Sequence, residues 1–151
     1  MNVLVTGASR GIGKAIADSL IKAGHNVLVS ARNEELLKSY ENYCVCDLAN
    51  EVEKLGKFIE ANNIDILVNN AGEYIYSPIE EMTLSQIEHI TKVNFEAPLY
   101  LISKAVPYMK TKKWGRIINI GSISGVMGEA NASLYSATKS GLFGATKALA
   151  L

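Results

Sequence analysis

Short apolar runs alternate with amphipathic stretches along this chain. Five runs have the length and composition of buried strands, and they read NVLVTG, NVLVSA, YCVCD, DILVNNAG and GRIINIGS. The stretches between them carry apolar residues at helical spacing: GKAIADSLIKAG, a short stretch around EELLKSYE, EVEKLGKFIEANN, a long region at 83–110 broken by Pro98, and SLYSATKSGLFGATKALAL. Parallel strands joined by right-handed helical crossovers produce this alternation. We therefore predict one α/β domain over residues 1–151, a Rossmann-like doubly wound parallel sheet with helices on both faces.

The composition excludes several classes of protein. The 15 lysines and arginines balance 15 aspartates and glutamates, so the formal net charge is zero, whereas a nucleic-acid-binding domain carries a basic excess. No apolar run is long enough to span a membrane, and the N-terminus begins with a strand-like run instead of a signal peptide, which favours the cytoplasm. The histidines and cysteines, His25, His89, Cys44 and Cys46, lack the spacing of a metal site or a disulfide, so we predict neither.

A glycine-rich loop, TGASRGIG, joins the first predicted strand to the first helix. Its glycines allow a tight turn and let the backbone approach a pyrophosphate at the helix N-terminus. The spacing Gly-x-x-x-Gly-x-Gly differs from the commoner Gly-x-Gly-x-x-Gly, and a purely structural turn is the alternative. The position between strand and helix favours dinucleotide binding by the loop residues, which are Gly7, Ala8, Ser9, Arg10, Gly11, Ile12 and Gly13.

The end of the second predicted strand indicates which dinucleotide binds. An acidic residue there would hydrogen-bond a free ribose 2′-hydroxyl, whereas an arginine suits a 2′-phosphate. The strand ends with Ala31 and Arg32, no carboxylate occurs before Glu34, and Arg10 adds a second cation. These residues favour NADP(H) over NAD(H), unless both arginines are solvated surface side chains.

The segment YSATK places Tyr135 and Lys139 one helical turn apart on the last predicted helix. A tyrosine hydroxyl has an ordinary pKa of about 10. A desolvated ammonium and the positive charge of an oxidised nicotinamide would both stabilise the phenolate form, so that such a phenol can exchange a proton near neutral pH. An exposed pair on an ordinary helix is the alternative, because surface charges interact weakly.

In order and spacing, these motifs resemble the short-chain dehydrogenase/reductase family over all 151 residues. The matching stretches are TGASRGIG, CDL, NNAG, KVNFEAP, GRIINIGSISG and YSATK. The resemblance implies that Asp47 and Leu48 bracket the adenine. It also implies that the NNAG segment, with Asn69, Ala71 and Gly72, lines the adenosine ribose and steadies the sheet.

The resemblance further implies a catalytic group of Asn94, Ser122, Tyr135 and Lys139. In carbonyl reduction, Tyr135 would protonate the carbonyl oxygen while Ser122 hydrogen-bonds it. Lys139 would hold the nicotinamide ribose beside Tyr135, so both residues would also contact the cofactor. Asn94 would support a water chain that replenishes the proton.

Within the family, the wording of TGASRGIG and GRIINIGS and the spacing of Ser122 and Tyr135 are most similar to 3-oxoacyl-[acyl-carrier-protein] reductases. This similarity implies NADPH-dependent reduction of a small or carrier-protein-bound carbonyl substrate in fatty acid biosynthesis. It also implies a homo-oligomer with neither a nucleic-acid nor a membrane partner. The alternatives are another alcohol or sugar dehydrogenase of the family, or a non-catalytic nucleotide-binding module.

The resemblance has one departure, at the end of the chain. Family members continue with two more strands, a substrate-covering loop and a proline–glycine segment that contacts the nicotinamide, whereas this sequence stops at Leu151 within the helix of Tyr135. We therefore expect a C-terminally incomplete domain, a fragment that lacks the last strands of the family fold. We expect the 151 residues alone to bind nucleotide weakly and show no turnover, with the fifth strand left as an unpaired edge.

Overall fold

Five parallel strands form the sheet at the centre of the computed structural model, which describes residues 1–151. Their bounds are Asn2–Thr6 for β1, Asn26–Ala31 for β2, Asn42–Val45 for β3, Ile66–Asn69 for β4 and Arg116–Asn119 for β5. The order across the sheet is β3-β2-β1-β4-β5, with β3 and β5 at the edges. The chain moves outward from β1 first to one side and then to the other, which confirms the doubly wound α/β fold.

Helices connect β1 to β2, β3 to β4 and β4 to β5, and a last helix completes the chain. Their bounds are Gly11–Lys22 for α1, Val52–Asn62 for α2, Leu84–Thr91 for α3, Ala97–Lys112 for α4, Ser124–Met127 for α5 and Ser133–Leu149 for α6. A short 3-10 turn covers Ile79–Glu81, and a π-helical turn, Lys92–Glu96, joins α3 to α4. None of the helices combines the length and the hydrophobicity that a membrane crossing requires.

Both faces of the sheet are covered, which explains why its strands are apolar throughout. One core packs against α1 and contains Val3 and Val5 of β1. The other packs against α2 and α4 and contains Leu4 of the same strand. Neighbouring residues of a strand point to opposite faces, so one run of apolar residues serves both cores. The two cores together hold the carboxyl ends of the central strands in place.

The short helix predicted around EELLKSYE is wrong. Residues 34–40 form successive turns instead, in which Leu37 N–H donates to Glu34 O at 2.8 Å and Tyr40 N–H donates to Leu37 O at 2.9 Å. Leu37 and Tyr40 are buried in the core beside α1, and the Tyr40 hydroxyl donates to Asp18 Oδ1 at 2.9 Å. Turns are sufficient to place these two side chains in the core, and so short a segment has little helical stability of its own.

The helical region predicted at 83–110 exists, but Pro98 does not break it. The irregularity is the π-helical turn Lys92–Glu96, and Pro98 lies in the first turn of α4 directly after it. Proline has no N–H and clashes with the carbonyl of the fourth preceding residue, and the wider turn accommodates both problems without ending the helix. The same turn carries Asn94, whose side chain is buried.

Candidate functional site

A cavity of about 650 Å³ opens at the carboxyl ends of β1, β2, β3 and β4. Its volume lies within the range of small-ligand pockets. It occupies the crevice between β1 and β4 where the strand order reverses, which is where open α/β sheets bind ligands. Most of the predicted cofactor-binding residues line it, namely Gly7, Ser9, Arg10, Gly11, Ile12, Arg32, Asp47, Leu48, Ala71 and Gly72.

Two glycines of the loop, Gly7 and Gly13, lie too close to neighbouring backbone to carry a side chain. A Cβ at Gly7, where φ is +67°, would lie 2.8 Å from Ala71 Cα, and a Cβ at Gly13 would lie 2.4 Å from Gly7 O. Gly11, where φ is +58°, faces open space at the start of α1 and lines the cavity. Bare backbone at a helix N-terminus is a suitable binding surface for phosphate. The loop therefore fits the pyrophosphate of a dinucleotide.

Three residues predicted in the glycine loop and the NNAG segment do not line the cavity. Ala8 and Gly13 are buried behind the loop. Asn69 is also buried, and its Nδ2 donates to Asn119 Oδ1 at 2.9 Å, so it links β4 to β5 and does not face a ribose. Asn70 lines the cavity in its place.

Asp47 follows β3 at one wall of the cavity. Its Oδ1 accepts from Ala49 N–H at 3.1 Å, and its Oδ2 accepts from Asn50 Nδ2 at 2.7 Å. Partial burial raises the pKa of the Asp47 carboxyl, but these hydrogen bonds outweigh burial and hold the pKa below its ordinary value of 3.8. Asp47 is therefore an ionised acceptor at neutral pH, and an adenine amino group is a suitable donor to it.

Arg32 is paired at the end of β2. Its Nη1 lies 2.6 Å from Glu73 Oε1, and Glu73 Oε2 lies 2.8 Å from His89 Nε2. Glu73 lines the same cavity as Arg32. Glu73 could not be predicted as a site residue from the sequence, because no local pattern relates a residue after the fourth strand to one after the second. The one sequence feature that could have pointed to Glu73 is its position directly after the NNAG segment.

Lys139 is buried, with 4% of its surface exposed. Its Nζ donates to Ile120 O at 2.8 Å and lies 5.8 Å from the centre of the Tyr135 ring. Burial lowers the pKa of this ammonium. The Tyr135–Lys139 pair is therefore not the exposed surface pair that the sequence left as an alternative.

Gly72 connects this pair to the cavity. A Cβ at Gly72 would lie 3.5 Å from Lys139 Nζ and 3.3 Å from Asn94 Oδ1, while Gly72 itself lines the cavity. The Asn94 side chain accepts from the Glu73 N–H and donates to the Glu73 carbonyl, both at 2.8 Å. Asn94 therefore positions the backbone that follows NNAG. Its support of a water chain stays a prediction.

Ser122 belongs to a hydrogen-bond network that the sequence analysis does not predict. Its Oγ donates to Ser124 Oγ and accepts from Ser124 N–H, both at 3.2 Å. Glu129 then accepts from Ser124 Oγ at 2.7 Å and from the Tyr74 hydroxyl at 2.8 Å, and these two bonds lower the pKa of Glu129. Tyr74 packs edge-on against Tyr135, with ring centres 5.0 Å apart. The network links Ser122 to the surroundings of Tyr135, although the hydrogen bonds of Ser122 itself go to Ser124.

Of the two cysteines, Cys46 lines the cavity beside Asp47 and Cys44 does not. Cys44 and Cys46 are free and buried, and burial raises the pKa of Cys46 to about 11. Both side chains belong to the core beside α2 and α4. No group of three or more histidine, cysteine, aspartate and glutamate side chains is arranged to hold a metal ion.

Comparison with known proteins gives a family match over the full chain. The family model described as short chain dehydrogenase matches residues 1–151. The chain is 42% identical, over 153 aligned residues, to the 3-oxoacyl-[acyl-carrier-protein] reductase FabG of Rickettsia prowazekii (strain Madrid E). That alignment covers 97% of this chain and 64% of the Rickettsia protein. The chain thus spans a little under two thirds of the length of that curated relative.

Two solved structures show the same architecture. A metagenomic short-chain oxidoreductase in complex with NADP superimposes with a TM-score of 0.92 at 33% identity, covering 99% of this chain and 74% of that one. The closed form of a serine dehydrogenase complexed with NADP+ superimposes with a TM-score of 0.90 at 32% identity, covering 99% of this chain and 65% of that one.

Proposed function

The chain belongs to the short-chain dehydrogenase family, and we propose that it is an NADP(H)-dependent oxidoreductase that reduces a carbonyl to an alcohol. The observation that carries the proposal is the position of Lys139. Its buried ammonium lies 5.8 Å from the Tyr135 ring and next to Gly72, which lines the cavity. Lysine is seldom buried, and a buried lysine beside a titratable group in a cleft is characteristic of functional sites.

We propose that the cavity holds the adenosine half of the cofactor. The backbone at Gly11 would bind the pyrophosphate, and Asp47 and Leu48 would bracket the adenine. Arg10 and Arg32 suit a 2′-phosphate and support NADP(H) over NAD(H). The two similar solved structures both contain the phosphorylated cofactor. When bound, the reduced cofactor supplies the hydride.

Side chains of the protein would then supply the proton to the carbonyl oxygen. Tyr135 donates its phenolic proton to the carbonyl oxygen, and the Lys139 ammonium stabilises the phenolate that remains. The Ser122 hydroxyl turns from Ser124 Oγ to hydrogen-bond the same oxygen, while Ser124 N–H still donates to Ser122 Oγ. Asn94 keeps the segment at Gly72 and Glu73 in place beside Lys139.

We propose a 3-oxoacyl thioester on acyl carrier protein as the substrate. The 42% identity to a 3-oxoacyl-[acyl-carrier-protein] reductase supports this choice. Exposed apolar side chains at Ile123, Val126 and Met127 follow Ser122 directly and would suit an acyl chain. The homo-oligomeric state implied by the family resemblance is part of the same proposal.

A second candidate is the oxidation of a small hydroxylated compound. The likeness to a serine dehydrogenase at 32% identity favours it. The polar groups of Tyr74 and Glu129, which are hydrogen-bonded to each other at 2.8 Å near Tyr135, would suit such a compound.

Two assays decide between these candidates, and both use a protein that includes the last strands of the family fold, because the 151 residues alone are expected to show no turnover. One supplies NADPH with an acetoacetyl thioester, the other supplies NADP+ with serine and short hydroxy acids, and both follow the absorbance of reduced nicotinamide. A higher kcat/KM for the thioester supports the first candidate, and a higher kcat/KM for a hydroxylated compound supports the second. Nucleotide binding without turnover in either assay would indicate the non-catalytic module instead. A protein that binds neither nucleotide would contradict the proposal.

A further inference from the structure

The ion pair between Arg32 and Glu73 crosses the crevice at the end of β1. Arg32 follows β2 and Glu73 follows the NNAG segment after β4, and β1 lies between these two strands in the sheet. Arg32 Nη1 and Glu73 Oε1 are 2.6 Å apart, and both residues line the cavity. The pair therefore spans the space in which we place the nucleotide.

Glu73 is the fixed member of this pair. Its N–H and its carbonyl are both hydrogen-bonded by the Asn94 side chain at 2.8 Å, and its second carboxylate oxygen lies 2.8 Å from His89 Nε2. The Glu73 side chain is 28% exposed, whereas the Arg32 side chain is 63% exposed. Arg32 is therefore the partner that is free to change its position.

A 2′-phosphate and Glu73 would compete for the same guanidinium. Arginine binds a phosphate best through two parallel N–H donors, and Nη1 of Arg32 already contacts Glu73. A phosphate on the remaining N–H groups would lie close to the Glu73 carboxylate, and negative charges at short range repel each other. The phosphate must therefore displace Glu73 or bind against this repulsion, and both lower its affinity.

We propose that Glu73 is a specificity-determining residue that weakens the preference for a phosphorylated dinucleotide by competing for Arg32. The inference rests on the proposed binding of NADP(H) in this cavity. Arg32 exchanges Glu73 for the 2′-phosphate when NADP(H) binds, and Glu73 retains His89 as its partner. NAD(H) has no 2′-phosphate and requires no exchange, so Glu73 opposes the binding of NADP(H) more than that of NAD(H).

The test measures the dissociation constants of NADPH and NADH by fluorescence titration in the parent protein and in Glu73→Gln. Glutamine keeps the shape and one acceptor oxygen but removes the charge. We expect the Kd of NADPH to fall about two- to fivefold, the range of a partly exposed ion pair, and the Kd of NADH to change less than about twofold. Glu88→Gln on α3 is the matched control, because Glu88 is exposed and makes no ion pair with Arg32. It should change neither constant.

A double variant separates competition for Arg32 from a general effect of charge. In an Arg32→Ala background, Glu73→Gln should no longer change the ratio of the two constants. An unchanged or higher Kd of NADPH in Glu73→Gln would overturn the proposal, because it would mean that Glu73 has no influence on Arg32 or orients it for the phosphate. If the parent binds NADPH and only the response to Glu73→Gln is missing, this inference fails and the proposed function stands. If the parent binds neither nucleotide, both fail.

Discussion

Lys139 illustrates how burial changes what a residue can do. A lysine one helical turn from a tyrosine is ordinary on an exposed helix face, where such a pair contributes little. Here the Lys139 ammonium is bonded to Ile120 O at 2.8 Å in an environment that lowers its pKa. A cation held against its desolvation penalty stabilises a nearby negative charge more strongly than a solvated one does. That is the property the proposed reaction requires of it when Tyr135 gives up its proton.

In a protein that includes the last strands of the family fold, we expect Tyr135→Phe to remove carbonyl reduction and to leave NADPH binding intact. The change deletes the proposed proton donor but keeps the ring that packs against Tyr74 at 5.0 Å. Loss of a general acid lowers kcat about 10²- to 10⁴-fold. Steady-state kinetics with an acetoacetyl thioester and a titration with NADPH measure the two effects. Tyr108→Phe makes the same change on α4 and should retain activity, whereas a Tyr135→Phe protein with most of the parent kcat would contradict the assignment.

Arg32→Ala should weaken the binding of NADPH selectively. A hydrogen bond between charged groups contributes about 1.5–3 kcal/mol, and the exposure of Arg32 and the loss of its pair with Glu73 reduce the net effect to about tenfold in Kd. The Kd of NADH should change less than about twofold. Arg116→Ala, which removes an exposed arginine at the start of β5, is the control. Equal losses for NADPH and NADH would argue against a 2′-phosphate contact at Arg32.

Among the elements, the π-helical turn between α3 and α4 contributes directly to the site. It carries Asn94, which is 1% exposed, and the Asn94 amide bonds both backbone groups of Glu73. An unpaired backbone group in the interior is unfavourable, so the turn stabilises the segment after β4 in one position. The irregularity in the helix thereby helps to position Gly72 between the cavity and Lys139.

At the amino ends of the strands, opposite the cavity, an ion pair joins the end of α4 to the residue that precedes β4. Lys112 Nζ contacts Asp65 Oδ1, and Asn2 N–H donates to Asp65 Oδ2 at 2.8 Å. The Asp65 side chain is only 6% exposed, while that of Lys112 is 41% exposed. We expect Lys112→Met to lower the free energy of unfolding at neutral pH, by less than the loss of a fully buried pair would, because the Lys112 side chain is partly solvated. Urea unfolding of the parent and of Lys112→Met measures this difference in the free energy of unfolding.

The effect of Lys112→Met should depend on pH. Burial raises the pKa of Asp65, but the bonds from Lys112 and Asn2 outweigh burial and hold the folded-state pKa below 3.8. A lowered carboxyl pKa gives stability that is present above the unfolded value and is lost as the pH falls through the folded value. The parent and Lys112→Met should therefore differ most above that range and converge in acid. Lys110→Met on the same helix is the control, and a difference that persists in acid would contradict the ion pair as the cause.

For the molecule as a whole, the order of the strands decides where a ligand can bind. The connections after β1 and β4 leave the sheet in opposite directions, and this opens the crevice that becomes the cavity. Segments from the ends of β1, β2, β3 and β4 line it. The adenosine half of the cofactor is proposed to bind in this cavity. Gly72 lines the cavity, and the Lys139 ammonium lies next to Gly72.

NADPH should stabilise the whole domain against heat. A ligand that binds only the folded state at about a hundred times its Kd adds about 2.7 kcal/mol, which raises the Tm of a domain of this size by about 5–10 °C. We expect 2′-phospho-ADP-ribose to give most of this shift, because the cavity residues contact the adenosine half. Nicotinamide mononucleotide should give little. Thermal unfolding monitored by fluorescence provides the measurement, and a larger shift with nicotinamide mononucleotide would contradict the proposed position of the cofactor.

Features that depend on local pattern can be predicted from the sequence of this chain. Apolar runs predicted all five strands, because a strand covered on both faces needs apolar residues at every position. The glycine loop was predicted because Gly7 and Gly11 adopt positive φ angles that other residues disfavour. The pairing of Tyr135 with Lys139 followed from helical spacing alone. Each of these features is encoded within a few residues.

Features that depend on contacts between distant segments become visible only in the folded protein. Arg32 meets Glu73, and Ser122 is linked through Glu129 to Tyr74, because strands and loops far apart in the chain converge at one edge of the sheet. The turns at 34–40 place Leu37 and Tyr40 in the core without a helix, since so short a segment has little helical stability of its own. Core packing and the satisfaction of buried polar groups outweigh local preference at such positions, and neither is visible in a stretch of sequence read alone.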